Sequence, residues 1–224
     1  MELDSGLAKI VEFYDLMRQI TALENEIGYK GHSERTAQLA VEISKEFNYS
    51  QEQQTEMYIG GCVHDVGKSK VPKEILICRE HYGGDHPNRR ELEKHVIYGD
   101  EILRGYEFYT PVVRNIVLCH HKWYDGRGYP PSTCEAEIPF EAQIMAVADS
   151  FDAMIMERPY DPARPFKNSV RELFKERRTH FNLDVLRAFS SVVKAERHLK
   201  ENEYGRFGRI YGSYLGQKNR QNKK

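Results

Sequence analysis

Apolar side chains recur along most of this chain at three- and four-residue steps, the spacing that stacks them on one face of an α-helix. Leu7, Ile10, Tyr14, Met17 and Ile20 predict an amphipathic helix over residues 7–23, interrupted by Gly28 and Gly31. A second helix is expected over 33–47, with Ala40, Ile43 and Phe47 on one face. A third runs from Gln53 to His64 and ends in the string His64-Asp65-Val66-Gly67-Lys68. Pro72 opens a short helix, and Arg89 to Leu103 reads as one helix carrying Leu92, His95, Gly99 and Ile102 three or four apart. Pro111 starts another, on which Val113, Ile116, Val117 and His120 share a face. Helix resumes from Phe140 through Met156, with Asp149 and Asp152 on one side. Asn168 and Asn182 are the expected caps of two closing helices. Residues 82–88, 125–131 and 158–165 carry the glycines and prolines of loops. No period-2 strand of useful length and no internal repeat is found, so the expected class is all-α.

Hydrophobic residues make up 40% of the 224, enough for a sizeable core. Basic and acidic residues nearly cancel, 33 against 34, which argues against a surface built for nucleic acid or an anionic membrane. No apolar run is long enough to span a bilayer, and MELDSGLAKI lacks the basic-then-apolar pattern of a signal peptide. The expectation is a soluble cytoplasmic protein with neither membrane nor nucleic-acid partners. Cys62, Cys78, Cys119 and Cys134 show no CxxC spacing, so neither a disulfide framework nor a thiolate zinc site is indicated, and Cys119 reads as a small core residue. Charge divides the chain unevenly. Residues 204–224 hold six basic and no acidic residues among four glycines, leaving 27 basic against 34 acidic in the body. This reads as an N-terminal amphipathic helix (1–27), a catalytic body (28–203) and a mobile basic tail (204–224). A homodimer or regulatory partner would dock through the N-terminal helix.

The histidines carry the chemistry. Neighbouring helical positions point about 100° apart, so His64 and Asp65 can reach one metal only near a helix end or irregularity, which Gly67 supplies. An aspartate can give one oxygen to each of two metals and bridge them. His120-His121 repeats the logic just before a glycine-rich loop, while His95 and Asp149 are single ligands from two other helices; bundles build dimetal sites in this way. Imidazoles and carboxylates without thiolate suit iron, manganese, cobalt, nickel or zinc better than calcium or magnesium. Such a site, with room for a bridging hydroxide, is suited to phosphate ester hydrolysis. Lys68 would place a cation near the developing negative charge. Trp123 and Tyr124 read equally as a platform for a guanine base or as aromatics burying apolar area. His81, His86, His180 and His198 read as surface residues.

Taken together, His32-Ser33-Glu34-Arg35, His64-Asp65-Val66-Gly67-Lys68, His95 with Gly99, and His120-His121-Lys122-Trp123-Tyr124-Asp125-Gly126-Arg127-Gly128-Tyr129-Pro130 resemble the HD-domain metal-dependent phosphohydrolases, and within them the HD-GYP phosphodiesterases. Ala148-Asp149-Ser150-Phe151-Asp152-Ala153 and Arg158-Pro159-Tyr160 follow in family order, so the resemblance covers residues 28–193. It implies an HD-domain helical bundle with a dimetal site in its core. One metal would be held by His32, His64, Asp65 and Asp149, the other by Asp65, His95, His120 and His121; iron or manganese is favoured. Lys68, Asp152 and Arg158 fall where the family keeps phosphate-contacting or metal-supporting groups, with Asp65, Lys68 and Asp152 expected in catalysis and Arg158, Lys68, Tyr129 and Trp123 against substrate. The implied substrate is a cyclic dinucleotide in signalling, cyclic di-GMP above all, cut to the linear form; some members prefer a cyclic GMP-AMP hybrid. Two other readings stay open: a phosphohydrolase of other nucleotides or phosphomonoesters, and a non-catalytic signalling module. Lys122 stands where the family usually has glutamate. Members with three metals use a glutamate four residues before the first histidine; that position here is Gly28, so two metals are expected, with Glu24 and Glu26 the nearest carboxylates.

Overall fold

A computed structural model of the chain describes residues 2–78, 86–131, 138–158, 162–194, 208 and 210–212. Among them are ten α-helices and no strand: α1 (Glu2–Ile27), α2 (His32–Lys45), α3 (Gln51–Val63), α4 (Lys73–Leu76), α5 (Pro87–Glu93), α6 (His95–Leu103), α7 (Pro111–Cys119), α8 (Phe140–Ile155), α9 (Phe166–Lys175) and α10 (Leu183–Lys194). The segment Val66–Lys70 is a 3₁₀ helix. The all-α class is therefore observed.

Element ends follow local chemistry. Gly28 and Gly31 take φ of 81° and 69°, left-handed values open to glycine, and end α1 before α2 begins at His32. Gly31 offers no side chain to cap α2, and the orphan N–H of Ser33 is instead donated to Oε1 of the buried Glu24, at 2.7 Å. Ser50 and Gln53 form a capping box at the start of α3, and Thr110 caps α7 just before Pro111. Two expectations shift. The stretch 89–103 is two helices, broken at Lys94 between α5 and α6. Asn182 does accept an N–H, from Asp184, but Asn168 lies inside α9, whose cap position is Pro165.

Helix α2 packs on α3 and α8, α3 also on α7, and α6 on both α7 and the 3₁₀ helix. The main core gathers Leu39, Ile43, Met57, Ile116, Ile144, Phe151, Leu186 and Phe189. A second cluster joins Leu16 and Ile20 of α1 to Val63, Leu103, Val113 and Val117. Close approach of the 3₁₀ helix to α6 depends on Gly67: a Cβ there would sit 1.9 Å from the His95 carbonyl oxygen. Leu7, Ile10, Val11 and Tyr14 of α1 stay exposed.

Tyr211 departs from the sequence reading. It is fully buried in the main core, with Phe151 edge-on at 6.1 Å, so the tail is anchored at this position rather than mobile throughout. A large aromatic surface outweighs the surrounding glycines and charges. Cys119 is fully buried, as the core reading expects, but it is disulfide-bonded, which the cysteine spacing did not indicate; Cys62 and Cys78 are free.

Candidate metal centre

The paired residues lie at helix ends. His64 is the C-terminal cap residue of α3 and Asp65 the first residue beyond it, while His120 caps α7 and His121 follows. There the chain leaves helical geometry, and two consecutive side chains can turn to one point. His32 begins α2, His95 begins α6, and Asp149 and Asp152 sit one turn apart on α8.

These elements bring together two groups of donor atoms, each able to hold a metal ion: His32, His64 and Asp149, and Asp65, His95, His120 and His121, with the atoms in each group within 4.8 Å of one another. Asp65 lies between them. Its Oδ2 is 3.4 Å from His64 Nε2 and 3.8 Å from His32 Nε2; its Oδ1 is 3.4 Å from His95 Nε2 and 4.0 Å from His120 Nε2. Asp149 Oδ1 is 3.2 Å from His32 Nε2 and 4.0 Å from that of His64. All seven residues assigned to metal binding from the sequence thus converge.

The remaining ring nitrogens are tied down behind the site. His64 Nδ1 meets the Gly61 carbonyl at 2.7 Å, His95 Nδ1 that of Leu92 at 2.7 Å, and His120 Nδ1 that of Val117 at 2.9 Å. A carbonyl accepts only from a protonated nitrogen, so each Nε2 is left with a lone pair aimed inward, as metal-ligating histidines require. The Nε2 atoms of His64, His95 and His120 and Oδ1 of Asp65 are buried without hydrogen-bond partners. Orphaned acceptors of this kind are costly unless something satisfies them, and a divalent cation would. The donor set fits.

Charge is arranged unevenly. Burial disfavours an imidazolium at His32, but hydrogen bonds to Asp149 and Asp152 outweigh it and raise its pKa to about 9. Burial, reinforced by neighbouring histidines, lowers His120 to about 3; burial and Lys68 lower His95 to about 4 despite Asp65. His121 is also held well below its ordinary value by burial and His120. Asp65 and Asp149 resist burial and stay ionised, chiefly through Lys68 and His64 in one case and His32 in the other.

The other expected site residues take distinct places. Lys68 donates to Asp65 Oδ2. Its Nζ also lies 5.6 Å from the Tyr29 ring centroid, with the Arg158 guanidinium 4.4 Å from the same ring, so Tyr29 links the two cations. Asp152, expected as a catalytic and as a phosphate-contacting or metal-supporting group, stands behind His32: 1% exposed, it accepts from His32 Nδ1 at 2.7 Å and from Arg35 at 2.7 and 3.1 Å. It positions His32. Tyr129 stacks on His121 at 4.6 Å and lies 6.0 Å from His95. The Trp123 ring is already engaged, stacked on His180 at 4.7 Å with the Arg127 guanidinium 4.5 Å away, which favours the apolar-burial reading over a free base platform. Glu24 caps α2 and Glu26 pairs with Lys73, so neither joins a cluster.

Arg35, Tyr29 and His180 were missed as site residues. Arg35 stood inside a quoted motif one turn from His32, a usable signal. Tyr29 and His180 had none, because their contacts are made across the fold. His86 is exposed as expected, accepting the Asn88 N–H at the start of α5; His81, His198 and Tyr160 lie outside the described residues.

A family model described as HD domain matches residues 15–185. The chain is 32% identical over 197 residues to a cyclic di-GMP phosphodiesterase of Thermotoga maritima, covering 86% of this chain and 51% of that protein. It is 31% identical over 174 residues to the cyclic di-GMP phosphodiesterase response regulator RpfG of Xanthomonas campestris, covering 77% and 43%. A 3'3'-cGAMP-specific phosphodiesterase of Vibrio cholerae is 30% identical over 171 residues, covering 75% and 32%. The chain thus spans about half or less of these relatives. Among solved structures, Bd1817 of Bdellovibrio bacteriovorus superposes with a TM-score of 0.59 at 15% identity, covering 73% of this chain and 51% of that one. The HD domain of L. monocytogenes PgpH in complex with cyclic-di-AMP gives 0.53 at 15% identity, covering 84% and 100%. At such identity the structural likeness speaks for the fold.

Proposed function

The chain belongs to the HD domain family, and on that premise we propose that it is a two-metal phosphodiesterase that opens a cyclic dinucleotide, cyclic di-GMP foremost, to the linear dinucleotide. Asp65 carries the reading: its two oxygens address separate donor clusters, the arrangement a bridged pair of ions needs. The substrate class is supported by the relatives, whose names specify cyclic di-GMP or 3'3'-cGAMP. HD-domain phosphohydrolases bind divalent metals; imidazole and carboxylate donors without thiolate favour iron or manganese here, with zinc, cobalt and nickel also compatible.

When bound, the ions would polarise phosphoryl oxygens and make a water acidic enough to attack near neutral pH. The chain's own residues prepare the ground for that chemistry. His32, His64 and Asp149 would hold one ion and His95, His120 and His121 the other, with Asp65 shared. Asp152 fixes the His32 ring. Lys68 and Arg158, both held against the ring of Tyr29, supply positive charge where a phosphodiester gathers negative charge. Tyr129 walls the His95–His121 side.

The test is metal-loaded protein incubated with cyclic di-GMP, 3'3'-cGAMP, cyclic di-AMP and mononucleotide esters. Linear dinucleotide should form from cyclic di-GMP, stop on chelation and resume with manganese or ferrous iron. Cleavage of the mononucleotide esters alone would overturn the reading for a general phosphohydrolase. Binding of a cyclic dinucleotide without turnover in any metal would overturn it for a non-catalytic module.

A further inference from the structure

Lys122 is an unusual lysine. It is 5% exposed, and the partners of its ammonium are backbone carbonyls, those of Gly126 at 3.0 Å and Pro130 at 3.3 Å. Lysine is almost never buried this far without a reason, since taking an ammonium out of water is expensive. Both carbonyls belong to the loop that carries Tyr129. That loop turns on Gly126 and Gly128, with φ of 89° and 82°, and lies so close to the preceding strand of chain that a Cβ on Gly128 would meet the His121 carbonyl oxygen at 2.2 Å. Tyr129 donates its N–H to the same carbonyl at 3.2 Å and lays its ring on the His121 imidazole. One ammonium therefore ties both ends of a turn whose middle rests on a candidate metal ligand.

We propose that Lys122 is a positioning residue: its ammonium staples the Gly126–Pro130 loop so that Tyr129 is held over His121 at the edge of the metal centre. The kinetic part of this inference rests on the hydrolase reading above; the structural part does not. Charge-assisted hydrogen bonds are stronger than neutral ones, and here two of them converge on carbonyls four residues apart in a loop otherwise rich in glycine. Replacing Lys122 by an apolar residue leaves both carbonyls without that donor and removes the side-chain tie across the turn, which then rests on its backbone hydrogen bonds alone.

Trp123, the single tryptophan of the chain, sits beside Lys122 and reports on this loop without any turnover. In Lys122→Met, Trp123 emission should shift to longer wavelength and its quenching by acrylamide should increase, while helical content and bound metal stay at wild-type levels. With a cyclic dinucleotide, kcat/KM should fall about tenfold or more, as expected when a substrate-facing wall is displaced. Lys122→Arg, which keeps charged donors, should restore both properties. Lys122→Gln should fall between the two, and serves if the Met variant does not fold. Unchanged Trp123 emission and quenching in a folded Met variant would overturn the staple. A loosened loop with unchanged kcat/KM would overturn the positioning role. If the wild-type protein cleaves no cyclic dinucleotide, the hydrolase reading fails, and the fluorescence comparison alone still decides whether Lys122 holds the loop.

Discussion

Asp65 is the side chain on which the two donor clusters depend together. His64 and His32 face one of its oxygens and His95 and His120 the other, so Asp65→Ala removes a donor from both groups at once. Bound metal and hydrolysis should both be lost with helical content retained, measured by elemental analysis and circular dichroism; normal metal content would break the bridging assignment. The histidines divide by charge. His32, with its pKa raised to about 9, is cationic at pH 7, whereas His120 and His95, lowered to about 3 and 4, are neutral. A proton on His32 competes with metal. Affinity at its cluster should therefore climb roughly tenfold per pH unit up to about pH 9, while the His95–His120–His121 cluster changes little from about pH 5 upward. Calorimetry in buffers of different ionisation heats should show about one proton released from His32 per chain at pH 7. Metal uptake without proton release would contradict the charged state of His32.

At the scale of elements, the centre exists because helices end where they do. Val66–Lys70 turns tightly after α3 and lies against the first turn of α6, which brings Asp65 to His95. Gly67 sets that distance. In Gly67→Ala the new methyl would collide with the His95 and Gly99 backbone, at 1.9 and 2.5 Å, where no flexible side chain can move aside. Overpacking of this kind costs about 1–3 kcal/mol or more. The variant should melt at lower temperature and lose metal first from the cluster containing His95; wild-type stability and two bound metals would show that the 3₁₀ helix can move without consequence. Splitting 89–103 at Lys94 has a related effect, since it lets His95 open α6 with its Nδ1 turned back to the Leu92 carbonyl.

Over the whole molecule, Tyr211 belongs to the main core although it lies far along the chain from the helices around it. Its ring fills the core beside Phe151, one residue before Asp152, and burial together with the Asp152 carboxylate pushes its phenol well above the ordinary range. Tyr211→Ala should cost roughly 3–5 kcal/mol, the range for deleting a large buried aromatic, and lower Tm by about 10 °C in a chain of this size. Truncation after Asn202, which removes Tyr211, should do at least as much. Thermal melts of the two variants compare them directly; equal stability of the Asn202 truncation and the full chain would mean that Tyr211 does not hold the core together.

Periodicity and motif were legible in the sequence itself. Three- and four-residue apolar steps pointed to an all-α class; residue type and helix-end location, which are local properties, pointed to His64, Asp65, His95, His120, His121 and Asp149, and the family resemblance added His32, so that the members of both donor clusters were named. Helix boundaries at Lys94 and Asn168 were misread, since a break inside a periodic stretch depends on what the helix packs against. Only the tertiary structure could decide which oxygen of Asp65 faces which cluster. The same holds for Asp152 standing behind His32, for Arg127 and His180 already occupying Trp123, for Lys122 spending its charge on loop carbonyls, and for Tyr211 returning to the core. Each is a contact between segments that lie apart along the chain or turn back on themselves, and its free energy comes from burial and pairing that no local pattern of residues encodes.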